Sequence, residues 1–189
     1  MVGSRICHDL ISPLGAISNG VELLAMSGGA NGPEMNLISE SVENANARIR
    51  FFRVAFGSAS AQQRIGHSEI SSILNAMSRD GRFVIDWQPQ TELSRKQVKL
   101  AFLLLQCFET AMPWGGHVSV SLIGDQWGIL GEASKLKLDP DLWETLSRAP
   151  DPDSLDAAHV HFALAPLAAS AIGRKLTLES SDTSIRVRF

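Results

Sequence analysis

Residues 4–24 spell the peptide SRICHDLISPLGAISNGVELL. Its apolar residues recur at spacings of three and four, which predicts one stripe of an amphipathic helix that runs to about residue 26. The stripe consists of Ile6, Leu10, Leu14, Ile17, Val21 and Leu24. A glycine-rich segment, 27–32, and then Pro33 predict a turn into a second helix. The chain is therefore expected to begin with a helical hairpin.

The second helix carries a heptad seam. From Ile38 to Phe56 its apolar residues alternate steps of four and three. A hairpin of two such helices leaves one side of each stripe uncovered, and a second copy of the chain is the simplest cover. The sequence therefore predicts a homodimer joined through a four-helix bundle.

His8 is the candidate reactive residue of the first helix. At about 100° per residue it lies roughly 165° from the centre of the apolar stripe, so its ring is expected to face solvent. Arg5, Ser12 and Asn19 surround it on that face. A neutral imidazole, with an ordinary pKa of about 6.5, is a nucleophile that a docking protein can reach. Most exposed histidines on helices have no chemical role, so position alone is a weak argument.

A proline lies inside the helical pattern, five residues after His8. Pro13 costs a helix interior about 3 kcal/mol, so its presence needs a reason. The run 8–14, HDLISPL, resembles the H-box of sensor histidine kinases, where an acidic residue and then a proline follow the phosphorylated histidine. The chain departs from the kinase pattern at Ile11 and Ser12, where kinases usually carry a basic residue and then Thr or Asn.

Residues 4–24, and with them essentially the whole chain, resemble the ChpT-type histidine phosphotransferases of alphaproteobacteria. The resemblance implies an α+β protein with two domains. Residues 1–60 would form the dimeric helical hairpin, and residues 61–189 an α/β sandwich shaped like a histidine kinase ATP-binding domain. His8 would carry a phosphoryl group between the receiver domain of a hybrid histidine kinase and response regulators. Asp9 would hold the other ring nitrogen and stabilise the cationic ring.

The expected docking surface for the receiver consists of Arg5, Ile11, Ser12 and Asn19, which surround His8. Ile11 has two interpretations of equal weight, as an apolar contact with the partner or as a flank of the bundle core. Magnesium is expected to arrive with the receiver, because phosphoryl transfer needs charge neutralisation and the chain shows no carboxylate cluster. No metal site is expected here.

The second half alternates helical and extended patterns, in the order expected of a sandwich with helices on one sheet face. Helices are predicted over residues 69–77, 94–112, 141–148 and 159–172. Strands are predicted over residues 82–87, 118–122, 127–131, 175–179 and 184–188. Residues 124–125 are predicted to turn the chain between the second and third of these strands.

This order resembles the kinase ATP-binding domain, but the nucleotide-binding residues differ. Residues 109–111, ETA, replace the metal-binding Asn-Ala pair, and residues 132–137, EASKLK, replace the adenine-binding Asp-x-Gly-x-Gly. Residues 161–165, HFALA, replace the glycine-rich lid that would cradle phosphates. We therefore expect no bound nucleotide or other cofactor, and we interpret the domain as a docking surface.

Composition excludes other classes of protein. Seventeen basic and twenty acidic residues give a net charge of −3, and no basic run could follow a nucleic acid. Two cysteines are too few for a disulfide framework, which favours the cytoplasm. No signal peptide is recognised, and the most apolar stretch, 162–172, is shorter than the roughly 20 residues that span a bilayer. A soluble protein is expected.

Three functions remain to be compared. The first is the phosphotransferase, and the second is a catalytically silent, pseudokinase-like dimer that binds receivers as a scaffold. His8 followed by Asp9 favours the first, since a scaffold needs neither residue. The third, an active autokinase, fails because the lid glycines are missing. The identity of the upstream kinase and of the downstream regulators cannot be read from the sequence.

Overall fold

The computed structural model describes residues 2–26, 32–79, 81–148 and 156–189. The chain divides into two compact units, residues 1–58 and 59–189. The boundary predicted from the sequence, 60/61, lies two residues from this division.

The first unit is a helical hairpin, as predicted. Helix α1 spans Val2–Met26, helix α2 spans Pro33–Ala55, and the two pack against each other. The short connection makes them antiparallel. Pro33 is at the first helical position, where the missing N–H of proline costs nothing, and Gly32 precedes it with extended backbone. Residues 27–31 of the predicted turn lie outside the described residues.

The core of the hairpin shares Leu14 and Val21 with the predicted stripe of α1 but is displaced around the helix from its other members. The more buried side chains are Cys7, Ile11, Leu14, Ser18 and Val21, again spaced by four and three. On α2, Phe51, Val54 and Ala55 are buried. The predicted stripe members Leu10 and Ile17 are instead 45% and 49% exposed. Helix α1 has apolar residues on two neighbouring flanks, which the sequence pattern merged into one stripe, and the hairpin buries one of these flanks.

The second unit combines a sheet with helices. Its helices are α3 His67–Met77, α4 Arg95–Ala111, α5 Pro140–Glu144 and α6 Val160–Ser170, the last preceded by a 3₁₀ turn, Ala157–His159. Its strands are β1 Arg64–Ile65, β2 Phe83–Trp87, β3 Leu93–Ser94, β4 Gly116–Ile123, β5 Gln126–Glu132, β6 Thr177–Ser180 and β7 Ser184–Arg188.

Five strands form one mixed sheet in the order β2-β4-β5-β7-β6. Strands β2 and β4 are parallel and are connected through α4, whereas the other neighbours are antiparallel. The predicted hairpin between β4 and β5 is present, and Gly124 takes the positive φ of 62° that its tight turn requires. The small sheet of β1 and β3 was not predicted, because two residues per strand show no alternation.

One face of the five-stranded sheet is buried under helices, as the alternating patterns predicted. Its inward side chains are Ile85, Trp87, Val118, Val120, Trp127, Ile129, Ile185 and Val187. Trp127 stacks on Phe189, with ring centroids 5.4 Å apart, and packs against Trp87 at 5.6 Å. At Gly131 the helix α4 comes so close that any side chain would overlap Phe108.

Within the described ranges, none of the helices has the length and apolar character needed to cross a bilayer.

Candidate functional site

His8 belongs to the first third of α1. Its side chain and those of residues 2–6, including Arg5, lie outside the described residues, so the predicted orientation of the ring stays a prediction. Ser12 and Asn19 lie within about 40° of His8 around the helix axis. Both side chains are exposed. The described residues on the His8 face therefore leave room for a docking protein.

Asp9 and Ile11 occupy different sides of α1. Asp9 is exposed and lies about 100° around the axis from His8. A carboxylate in this position can stabilise an imidazolium that forms on the neighbouring residue. Ile11 is half-buried and falls on the inward line between Cys7 and Leu14. Its position fits the flank of the hairpin core, and part of its surface remains accessible to a partner.

Pro13 interrupts the hydrogen bonds of α1 beside the candidate site. The helix continues through it from Val2 to Met26. Because proline has no N–H, the usual helical hydrogen bond from residue 13 to the carbonyl of Asp9 is absent. The irregularity thus falls next to His8 and on an exposed part of the helix.

Arg53 is a residue of this region that the sequence analysis missed. Burial raises the pKa of the Cys7 thiol, and the nearby Arg53 guanidinium partly lowers it. Arg53 stands in the last turn of α2, so the antiparallel packing brings its charge to the residue before His8. A guanidinium suits a phosphoryl group, because its planar set of N–H donors matches the phosphate oxygens.

A charge gradient along α2 was the signal that could have identified Arg53. The first half of this helix carries Glu34, Glu40 and Glu43, and the second half carries Arg48, Arg50 and Arg53. Glu34 in the first turn and Arg53 in the last turn complement the two ends of the helix dipole. In an antiparallel hairpin the basic half lies beside the start of α1, so the His8 end of the hairpin is the positive one.

Thr110 and His161 connect two helices of the second unit. Thr110, in the last turn of α4, donates its hydroxyl proton to the Gln106 carbonyl at 3.0 Å. Its oxygen also lies 3.2 Å from Nε2 of His161. A hydroxyl has one proton, so His161 must be the donor in the second bond, which assigns its proton to Nε2. His161 is 5% exposed, and its burial, with His159 second, lowers its pKa to about 4.

Aromatic rings fill the space between α4, α5 and α6. Trp143 meets Phe108 edge to face at 5.8 Å and Phe162 at 5.4 Å. All three rings are buried. Residues 161–165 are part of α6, so their amides belong to a helix rather than to a glycine-rich loop. This region is built as an apolar core.

Two backbone hydrogen bonds hold the segment that follows β5, residues 133–137. The amide of Ala133 donates to the Thr183 carbonyl at 3.0 Å, and the amide of Lys137 to the Ala111 carbonyl at 2.8 Å. Between them the Lys135 ammonium lies 4.6 Å from the centre of the exposed Trp114 ring.

In the described part of the chain no three His, Cys, Asp or Glu residues are grouped so that they could hold a metal ion.

Known proteins match the chain over nearly its whole length. The family model described as the histidine phosphotransferase C-terminal domain matches residues 67–184. The protein named protein phosphotransferase ChpT, from Brucella abortus (strain 2308), is 35% identical in an alignment 188 residues long that covers 96% of this chain and 90% of that protein. A solved structure titled as that of a bacterial phosphotransferase, at 1.7 Å, has a TM-score of 0.73 and 33% identity, covering 98% of this chain and 91% of its own.

Proposed function

The chain belongs to the family of histidine phosphotransferases, and on that premise we propose that His8 is the residue that carries the phosphoryl group. The protein is a phosphotransferase of a phosphorelay. The observation that carries the assignment to His8 is its place on α1 before Asp9 and Pro13, on a face where Ser12 and Asn19 are exposed.

The proposed step is a transfer between an aspartate and a histidine. One nitrogen of the neutral imidazole attacks the phosphorus of a receiver's aspartyl phosphate. The P–N bond forms as the P–O bond to the aspartate breaks, and the aspartate leaves as a carboxylate. The ring becomes cationic during the step, and the Asp9 carboxylate stabilises that charge. The reverse step delivers the phosphoryl group to the aspartate of a second receiver.

The proposal assigns the magnesium ion to the receiver and no nucleotide to this chain. The packing of Phe108, Trp143 and Phe162 supports the second part, because these rings occupy the space between α4 and α6. A titration with Mg-ATP that gave a micromolar dissociation constant would contradict it.

The proposal also includes a homodimer. Leu10, Ile17 and Leu24 form an exposed line on α1, and Ile38 of α2 is 45% exposed. Burial of such a line is worth roughly 25 cal/mol per Å², and an identical hairpin offers a matching surface. We place the dimer in the cytoplasm, which the two free thiols, Cys7 and Cys107, support. Its partners would be the receiver domain of a hybrid kinase and response regulators.

The scaffold alternative is not favoured, because the relative with 35% identity is named a phosphotransferase. The test is transfer of labelled phosphate from a phosphorylated receiver domain of the same organism, without ATP. We expect label on the wild type and on the control His117→Ala, whose histidine is exposed in β4, and none on His8→Ala. Label on His8→Ala would disprove the assignment. An unlabelled wild type would contradict the function as a whole.

A further inference from the structure

Helix α6 has no charged residue, although only one of its sides is buried. Its sequence, VHFALAPLAAS, contains no Asp, Glu, Lys or Arg. One side of the helix is buried through His161, Phe162, Ala165 and Ala169. A soluble helix normally carries charged residues on its other side, and one that is apolar all round is normally buried all round. The second side of α6 therefore needs an explanation.

That second side is an apolar stripe. Leu164, Leu167, Ala168, Ala171 and Ile172 are spaced by three and four along α6 and the turn after it, and together they line an open groove. Leu167 is 58% exposed. The stripe extends over nine residues, from Leu164 to Ile172, which corresponds to about 12 Å along a helix axis. Its length matches two turns of a helix laid beside it.

The opposite wall of the groove is cationic. Lys96 and Lys99 line it, one turn apart on α4. Among the described residues that line the groove, whose volume is about 250 Å³, none is Asp or Glu. The first turn of α4 holds Arg95 and Lys96 and no acidic residue, although the positive end of a helix dipole disfavours cations. The wall thus favours an anionic occupant.

We propose that this groove docks an amphipathic helix of the receiver-bearing partner, with apolar residues toward α6 and acidic residues toward Lys96. Helix-in-groove recognition uses apolar anchors at spacings of three and four, which the stripe of α6 matches. A groove that is open along its length suits a helix better than a small ligand, which is usually buried over most of its surface. This inference rests on the proposed function and adds a contact remote in sequence from His8.

The test measures transfer from a phosphorylated receiver to the full chain as a function of receiver concentration. We expect Leu167→Asp and Lys96→Glu each to raise the half-saturating concentration about tenfold, with the rate at saturation unchanged. Added salt should raise the half-saturating concentration less for Lys96→Glu than for the wild type. Ile123→Asp and Lys175→Glu are the matched controls, because both residues are exposed and lie outside the groove.

Several results would overturn this inference. If both groove variants had the half-saturating concentration and the circular dichroism spectrum of the wild type, the groove would not be a docking site. The proposed function would then still stand. Sedimentation that showed a smaller assembly for Leu167→Asp than for Ile123→Asp would identify a second copy of the chain as the occupant. If the wild type itself accepted no label, the proposed function would fail, and that outcome differs from the other two.

Discussion

The hydroxyl oxygen of Thr110 lies 3.2 Å from Nε2 of His161 and joins the last turn of α4 to the first turn of α6. These two residues are more than 50 positions apart in the sequence, and the fold brings them together. Here a threonine and a buried histidine satisfy each other, and Trp143 packs beside them against Phe162. These contacts pack α4 and α6 together.

The burial of His161 predicts a dependence of stability on pH. Its pKa is lowered to about 4 in the folded protein, whereas an unfolded histidine has a pKa of about 6.5. Between these values the unfolded chain binds more protons, so stability increases with pH. The full contribution is present above about pH 6.5 and is lost as the pH falls toward 4, up to about 3 kcal/mol.

Urea unfolding from pH 7.5 to 4.5 measures this dependence. We expect the decline in the free energy of unfolding to become shallower in His161→Gln, because glutamine does not titrate. His117→Gln serves as the control, since His117 is exposed, and it should decline as steeply as the wild type. Equal slopes for His161→Gln and the wild type would show that His161 is not held neutral by the fold.

Trp143 is predicted to be one of the most important side chains of the second unit for stability. It is 4% exposed and contacts the rings of Phe108 and Phe162. Trp143→Ala should lower the free energy of unfolding by about 3–5 kcal/mol, since it leaves a cavity in the core. Trp114→Ala removes a ring that is 58% exposed and should cost far less. A small loss for Trp143→Ala would mean that the three helices can close over the cavity.

Much of the fold could be predicted because apolar residues alternate clearly. The strands β4 and β5 show the period of two, and Gly124 marks the turn between them. The pair β1 and β3 shows no signal, because each strand has two residues and its pairing depends on distant sequence. Helix α5 ends at Glu144 rather than at the predicted residue 148, since an apolar period continues through a turn that is no longer helical.

The candidate site was only partly predictable. Ser12 and Asn19 follow from helical geometry alone and are exposed as expected. The inward position of Ile11 depends on which flank of α1 meets α2, and one apolar stripe cannot distinguish the two flanks. Arg53 is distant in sequence from His8, and the antiparallel packing of α1 and α2 brings its charge to Cys7. Tertiary packing decides which residues of two helices meet, and the spacing of apolar residues within one helix does not reveal this.

Arg53 is predicted to assist the transfer. Its guanidinium lies near Cys7, the residue before His8, and we expect it to stabilise the charge of a phosphoryl group on His8 in transit. Arg53→Ala should lower the saturating rate of transfer about tenfold, with Arg53→Lys intermediate. The pKa of the Cys7 thiol should rise further in Arg53→Ala, which reports the lost charge independently of activity. Arg48→Ala, farther from the end of α2, is the control, and an equal loss there would indicate a general effect of charge.

The exposed apolar line of α1 predicts how the dimer can be broken. Ile17 is 49% exposed and lies between Leu10 and Leu24 on that line. Ile17→Asp would place a charge in the seam of the proposed four-helix bundle, and burying a charge is costly. Sedimentation at micromolar concentration should give twice the 20.5 kDa of one chain for the wild type and a single chain for the variant. Ile123→Asp, an equally drastic change on β4 of the other unit, should stay dimeric. A wild type that sedimented as a single chain would refute the proposed dimer. If Ile17→Asp stayed dimeric, the interface would have to lie elsewhere than on this line.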